Sequence, residues 1–77
     1  MGIYFDLVEE MNRGENKFGP FKSPHESIAI LREEYLELEQ AIFHPTPFSG
    51  SVRVESLQVA AVALRIYRDT FSGVDVP

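Results

Sequence analysis

The sequence of 77 residues contains no cysteine. A disulfide bond therefore cannot stabilise the fold, and a metal site built from thiolates is excluded. The length predicts a single domain over residues 1–77, and a domain of this size buries only about 60% of the surface that its unfolded chain exposes. Because such a core is marginal by itself, we expect self-association to contribute to stability.

Positively charged residues are few, since 7 Lys and Arg residues stand against 12 Asp and Glu residues and the formal net charge is −5. Surfaces that bind nucleic acid depend on clustered Lys and Arg side chains, so the composition predicts no nucleic-acid partner. A phosphorylated small molecule remains compatible with this charge if a divalent cation carries the opposing charge.

Long apolar runs are also missing. The run at residues 59–64 is far shorter than the roughly 20 residues that a membrane-spanning helix needs. Near the N-terminus, Asp6, Glu9 and Glu10 interrupt the apolar residues, and the segment lacks the basic start of a signal peptide. Without a membrane segment, a signal peptide or cysteine, we expect a cytoplasmic protein that has no membrane partner.

The apolar content of 44% is typical of a globular protein, and the spacing of the apolar residues predicts an all-α fold. Gly14 is expected just past the end of a short first helix, and residues 15–22, which contain Gly19-Pro20 and no helical period, are expected to form a loop. The predicted helices cover about residues 2–13, about 24–43 and about 52–72. The short connection between the last two predicts an antiparallel helical bundle, which oligomerisation completes.

The second predicted helix carries the strongest local signals. Ser23 is suited to cap it, Pro24 suits its first position, and Glu26 lies three residues after Ser23, which completes a capping box. Apolar residues then recur at steps of three and four and form one stripe: Ile28, Leu31, Tyr35, Leu38 and Ile42. Glu34 and Glu37 fall beside this stripe, so neither lies on the fully solvated back of the helix.

The last predicted helix is apolar on nearly all sides between residues 57 and 67, where Gln58 and Arg65 are the only strongly polar residues. A helix of this kind is buried on several sides. In a chain of about three helices, burial on several sides calls for a second subunit.

Four polar residues are expected to meet where the last two helices face each other. Counting back from the connecting loop places Glu37 near the level of Glu55, and Glu34 near Gln58. Carboxylates that converge without a lysine between them repel one another, and either a hard divalent cation or raised pKa values relieve that repulsion. An all-oxygen ligand set favours Mg²⁺ or Mn²⁺ over zinc. The alternative is a solvated acidic face that binds no ion.

The motif Glu33-Glu34-x-x-Glu37, followed after a loop by Glu55-x-x-Gln58 at the start of an apolar, alanine-rich helix, resembles the MazG-like all-α nucleoside triphosphate pyrophosphohydrolases. Three further segments resemble the short, phage-type members of that family: KFG at residues 17–19, SPHE at 23–26 and VESLQVAAVALR at 54–65.

The resemblance covers most of the chain, about residues 16–69. It implies a helical bundle completed as a homodimer or a homotetramer, with active sites near the subunit contacts. It also implies Mg²⁺-dependent hydrolysis of a (deoxy)nucleoside triphosphate to the monophosphate and pyrophosphate.

The resemblance further implies a role for each acidic residue. Glu34, Glu37 and Glu55 would be metal ligands, and Glu33 would be a further ligand or a carboxylate that orients water. Gln58 stands where the family has Asp; its amide oxygen can still coordinate Mg²⁺, but it brings no charge and cannot act as a base. Either Glu33 or Glu37 then activates water, or the protein is a non-catalytic relative that binds nucleotide or forms a helical oligomer.

Basic and aromatic residues outside the acidic motif are candidates for binding the substrate. Lys17, Lys22 and Arg65 are candidate phosphate contacts, and a surface charge or a salt bridge is the alternative for each. Three aromatic residues either stack on the nucleotide base or fill the end of the bundle: Phe18, Phe21 and Phe48. Of these candidates, we take Lys17, Phe18 and Arg65 as the predicted substrate-binding set.

Overall fold

Three helices form the fold: α1 (Ile3–Phe18), α2 (Pro24–Phe43) and α3 (Val52–Ser72). The computed structural model describes residues 2–72, and no strand occurs within them, so the predicted all-α class is confirmed. α3 packs against both other helices, whereas α1 and α2 make no close backbone contact with each other. α3 is therefore the central helix, and a groove opens between α1 and α2 with α3 as its floor.

Local signals in the sequence account for the starts of α2 and α3. Ser23 Oγ accepts a hydrogen bond from the Glu26 backbone N–H at 3.1 Å, as the capping pattern predicts. The Glu26 carboxylate accepts from the Lys22 N–H at 2.5 Å, one residue before the partner that a capping box uses. At the start of α3, Ser51 Oγ accepts from the Val54 N–H at 3.1 Å.

Removal of the α2 cap is expected to destabilise the protein. In Ser23→Ala the Glu26 N–H loses its acceptor, and we expect the free energy of unfolding to fall by about 1 kcal/mol. Urea denaturation measures the change. Ser56→Ala, inside α3, is the matched control, because alanine is at least as favourable as serine in a helix interior. Equal effects of the two substitutions would contradict the capping role of Ser23.

α1 is longer than the sequence indicates. The prediction of a helix over about residues 2–13, ended by Gly14, is wrong, because α1 continues to Phe18. The helix ends instead at Gly19, which has φ of 80° and whose N–H donates to the Glu15 carbonyl at 2.8 Å. A positive φ strains any residue with a side chain, so glycine is favoured at this helix end.

Contacts with α3 explain why α1 passes through Gly14. A Cβ atom at this position would lie 3.4 Å from Arg65 Nη1, so the glycine lets the arginine approach the helix closely. Glu15, in the next position, pairs with Arg68 of α3, and the distance from Glu15 Oε2 to Arg68 Nη2 is 2.8 Å. These long-range contacts offset the cost of glycine in a helix, which is about 1 kcal/mol.

α2 meets α3 with a side that differs from the predicted apolar stripe. Ser27 and Ala41 are buried in this contact. Because these side chains are small, the two helices can approach closely along this side. Three residues of the stripe instead remain half exposed: Ile28 at 55%, Tyr35 at 53% and Ile42 at 50%. The stripe is therefore only partly covered within one chain.

Few apolar side chains are buried in the described part of the chain. The buried ones are Met11, Ala41, Ala61 and Val62, and no large side chain is fully buried. Within one chain α3 is not buried on all sides, because three apolar residues between positions 57 and 67 are exposed: Ala60, Ala63 and Tyr67. Their burial by a second subunit stays a prediction. Among residues 2–72, no helix has the length and apolar character that crossing a membrane requires.

Candidate metal centre

Three carboxylates from two helices come together beside the α2–α3 loop. Glu34 and Glu37 belong to α2, Glu55 belongs to the first turn of α3, and one oxygen of each lies within 4.8 Å of the others. Residues three apart share a helix face, which brings the two α2 carboxylates together. The register agrees with the sequence prediction, since Glu37 lies opposite Glu55, and Gln58 lies against Glu34.

Gly50 has no side chain and so leaves room for the Glu55 carboxylate. Glu55 is buried, whereas Glu34 is half-buried and Glu37 is exposed. A Cβ atom at residue 50 would lie 1.9 Å from Glu55 Oε2 and 2.9 Å from its Cδ. The carboxylate therefore occupies the space that any other side chain at residue 50 would fill.

The three carboxylates repel one another. Burial, and after it the charges of Glu37 and Glu55, together raise the pKa of Glu34 to about 6. The pKa of Glu55 is also raised, first by burial and then by Glu37. Within the described residues, no Lys or Arg forms an ion pair with any of the three. The pKa of Arg13 is raised mainly by its hydrogen bond with Glu10 and to a smaller extent by the charge of Glu34, so Arg13 is near the cluster but paired elsewhere. The cluster thus concentrates negative charge without an ion-paired Lys or Arg in the described residues.

The raised pKa of Glu34 gives a prediction about pH. Its value of about 6 in the folded protein lies above the ordinary value of 4.5, so the folded state binds more protons than the unfolded state between these values. This contribution to stability is complete below about pH 4.5 and is lost as the pH rises through about 6. In a buffer that chelates metals, we therefore expect the melting temperature to rise as the pH falls through this window.

Comparison with Glu34→Gln isolates this effect from the other groups that titrate. Glutamine does not titrate, so the variant should gain less stability than the parent on acidification from about pH 7 to about pH 5. Parallel melting curves of parent and variant across the window would contradict the clustering of the carboxylates.

Gln58 joins two of the carboxylates. With its amide nitrogen turned toward them, it donates to Glu34 Oε2 and to Glu55 Oε1, each at 3.1 Å. The opposite orientation places the amide oxygen against two carboxylate oxygens, which is unfavourable without a cation. In the metal-free protein Gln58 is therefore a donor that bridges the acids, and its oxygen reaches a metal only if the amide turns over.

Of the other predicted site residues, one lies outside the group of three carboxylates and three line a groove beside it. Glu33 is exposed and contributes no oxygen to the group of three carboxylates. Three predicted substrate-binding residues line the groove between α1 and α2, together with Glu34 and Gln58: Lys17, Phe18 and Arg65. This groove has a volume of about 250 Å³ and also includes Arg13. One wall of the acidic cluster is thus continuous with a cavity that holds basic side chains.

A second cavity lies on the loop side of the cluster. It has a volume of about 470 Å³ and is lined by Glu37, Glu55 and several loop residues, among them Thr46, Phe48 and Ser49. Phe48 is 95% exposed at its rim. The acidic cluster therefore stands between two cavities, one with basic residues and one with an exposed aromatic ring.

The aromatic residues near the site do not share one role. Phe18 is 72% exposed and Phe48 even more so, so neither fills the end of the bundle and both rings are accessible. Phe21 is half-buried, and its ring centroid lies 4.0 Å from Arg65 Cζ, a cation–π contact. Phe21 therefore supports Arg65, and its ring face is occupied.

Sequence reasoning missed Arg13 and Gly50. Arg13 lies four residues before Lys17, a spacing that places both on one helix face, but the helix was predicted to end at this point. Gly50 was interpreted only as part of the connecting loop, since nothing in the local sequence indicates that the Glu55 side chain folds back onto it.

Comparisons with protein-family models, with curated proteins and with solved structures give no match to this chain. The assignment of a function therefore depends on the geometry of the acidic cluster and the two cavities, together with the motif resemblance.

Proposed function

We propose that the protein is a Mg²⁺-dependent nucleoside triphosphate pyrophosphohydrolase, which converts a (deoxy)nucleoside triphosphate to the monophosphate and pyrophosphate. The observation that carries the proposal is the convergence of Glu34, Glu37 and Glu55 within 4.8 Å, with no Lys or Arg paired to them in the described residues. A structural bundle gains no stability from such an arrangement, because like charges beside a core repel one another.

The residues present fit a small divalent cation. Magnesium binds oxygen at about 2.1 Å, so two ligands of one ion lie roughly 3–4 Å apart. The carboxylate oxygens need to close by at most about 1–2 Å from their present separation of up to 4.8 Å to reach this spacing. All the donors are oxygen atoms, which suits Mg²⁺, and also Mn²⁺, better than zinc.

Each acidic residue has a place in the reaction. When bound, the ion neutralises the charge that develops on the phosphoryl oxygens. Glu34, Glu37 and Glu55 would hold it, each through one carboxylate oxygen, and Gln58 orients Glu34 and Glu55. The exposed Glu37 accepts the proton of the attacking water, either directly or with help from Glu33 at a greater distance.

Hydrolysis breaks one phosphorus–oxygen bond of the α–β bridge. The water oxygen forms a bond to one of the two phosphorus atoms that flank the α–β bridge, and the bond from that phosphorus to the bridging oxygen breaks. The electron pair of the broken bond stays on the bridging oxygen. The products are a nucleoside monophosphate and pyrophosphate, and the proton released by water resides first on a carboxylate.

Self-association is part of the proposal. Two features support a homodimer or a homotetramer. Ile28, Tyr35 and Ile42 of α2 are half-exposed apolar residues, and the described part of the chain buries only four apolar side chains. Sedimentation velocity measures the state, and a monomer at micromolar concentration would overturn this part. We place the protein in the cytoplasm, where nucleoside triphosphates are made.

A second candidate function is nucleotide binding without turnover. The neutral amide of Gln58 favours it, since an amide cannot accept the proton that an aspartate at this position would accept. Under this alternative the cluster still binds Mg²⁺ and a nucleotide, but no bond breaks.

A panel of deoxynucleoside triphosphates tests the proposal and separates it from the alternative. Each is incubated with the protein and Mg²⁺, and the release of pyrophosphate is followed. We expect equal amounts of monophosphate and pyrophosphate from at least one of them, and no reaction with EDTA present. Release of orthophosphate alone, or no release above the protein-free blank, would overturn the hydrolase.

A further inference from the structure

Arg65 is a buried cation without a carboxylate partner among the described residues. Its exposed fraction is 4%, and its hydrogen bond goes to a neutral group, from Nη2 to the Gly19 carbonyl at 3.0 Å. Its Nε atom is buried and has no acceptor. Phe21 covers one face of the guanidinium. Arginine is seldom buried in this way unless an anion compensates its charge.

Glu15, whose pKa is affected by Arg65, does not supply this anion. Arg65 contributes to the lowered pKa of Glu15, but the main cause is the hydrogen bond from Arg68. Both Glu15 oxygens accept from Arg68, at 3.2 Å from Nη1 and at 2.8 Å from Nη2. Glu15 is thus committed to Arg68, and Arg65 keeps an unsatisfied donor.

The surroundings of Arg65 leave room for a ligand. Arg65 lines the groove between α1 and α2, and Gly14 of α1 places no side chain over Nη1, which lies 3.4 Å from where a Cβ would be. Arg13 and Lys17, one turn apart on α1, line the same groove, and so does Glu10, which accepts hydrogen bonds from Arg13. Three cations thus line a cavity of about 250 Å³, together with the carboxylates of Glu10 and Glu34.

We propose that Arg65, with Arg13 and Lys17, forms a site for pyrophosphate in the groove between α1 and α2. A guanidinium with an N–H that lacks an acceptor suits phosphate oxygens, with which it forms short, charge-assisted hydrogen bonds. Pyrophosphate presents more oxygen atoms and more charge to these cations than a single phosphate does, so it competes better with Glu10 for Arg13.

The site gives the substrate a direction, and this part rests on the proposed function. The two terminal phosphates lie toward Arg65, the α–β bridge lies at the acidic cluster, and the nucleoside lies in the loop cavity beside Phe48. Cleavage in this arrangement leaves pyrophosphate in the basic groove and the monophosphate on the other side of Glu34 and Glu55.

Titration calorimetry with inorganic pyrophosphate, in buffer without divalent cations, tests the site. We expect Arg65→Gln to weaken binding by at least about tenfold, because bonds from a charged donor to a phosphate are among the stronger ones. Arg53→Gln is the matched control: Arg53 is exposed on α3 and lines a different cavity, so its removal lowers the net charge equally and should change the affinity less than about twofold.

Two variants keep the test decisive if Arg65→Gln does not fold. Arg13→Gln and Lys17→Gln alter exposed groove residues, and each should weaken pyrophosphate binding by roughly threefold or more relative to Arg53→Gln. No measurable binding to the parent, or equal affinities in the groove variants and Arg53→Gln, would overturn the site.

If pyrophosphate binding depends on Arg65 but no nucleotide is hydrolysed, the anion site stands and the hydrolase proposal fails. If nucleotide is hydrolysed but pyrophosphate binding does not depend on Arg65, the hydrolase proposal stands and the anion site fails.

Discussion

Glu34→Gln is expected to remove the stabilisation that Mg²⁺ gives the folded protein and to reduce pyrophosphate release by roughly 100-fold or more. Glu34 contributes one of the three clustered carboxylate oxygens, and the variant loses a charged ligand while keeping nearly the same shape. Without metal, the variant should be as stable as the parent or more stable, because the repulsion from Glu37 and Glu55 disappears.

The size of the effect follows from mass action. At a Mg²⁺ concentration about ten times the dissociation constant, binding stabilises the folded parent by about 1.4 kcal/mol. For a domain of this size, that corresponds to a rise in melting temperature of roughly 5–10 °C. Thermal unfolding of parent and variant, each with and without Mg²⁺, measures the difference.

Glu39→Gln is the control for this series. It lies on the same helix and removes the same charge, but Glu39 belongs to neither the cluster nor the two cavities beside it. It should keep the full Mg²⁺ response. If Glu34→Gln responds to Mg²⁺ as strongly as Glu39→Gln, then the carboxylates do not share an ion.

Gly50→Ala is expected to lower the affinity for Mg²⁺ by about tenfold or more while the helices stay intact. The new methyl group would lie 1.9 Å from Glu55 Oε2, so the buried carboxylate must leave its place beside Glu34. The backbone at Gly50 does not have a positive φ, since Gly19 is the glycine with that conformation in the described chain, so alanine does not strain the loop.

The two consequences of Gly50→Ala can be measured separately. Replacing glycine at an unstrained loop position stabilises a protein by up to about 1 kcal/mol through the unfolded state. The metal-free variant should therefore melt at or above the parent temperature, whereas its Mg²⁺ titration should be displaced to higher concentrations. Gly2→Ala, where a new Cβ meets nothing within 4 Å, is the control. An unchanged Mg²⁺ affinity in Gly50→Ala would show that the position of Glu55 is irrelevant to binding.

Some parts of this fold can be predicted from the sequence because the responsible contacts are local. The start of α2 depends on Ser23 and on groups three or four residues away. The facing of Glu37 and Glu55 follows from a short loop and a constant rise per residue in each helix. Both inferences need only the helical period and the chemistry of caps.

Other parts could not be predicted because they depend on contacts between residues distant in sequence. The length of α1 depends on the Glu15–Arg68 pair, which joins residues 53 positions apart. The bond from Arg65 to the Gly19 carbonyl spans 46 positions, so its burial is invisible in the sequence. The side of α2 that packs depends on which side chains let α3 approach, and a stripe of apolar residues alone does not determine it.

The central claim is that Glu34, Glu37 and Glu55 share a divalent cation. Electron paramagnetic resonance tests it most directly, because the signal of free aqueous Mn²⁺ is lost when the ion binds to protein. We predict that the parent removes this signal in a saturable titration, that Mg²⁺ competes for the site, and that Glu34→Gln leaves the signal free at the same concentrations. A Mn²⁺ signal that the parent does not reduce, or that parent and variant reduce equally, would contradict the account.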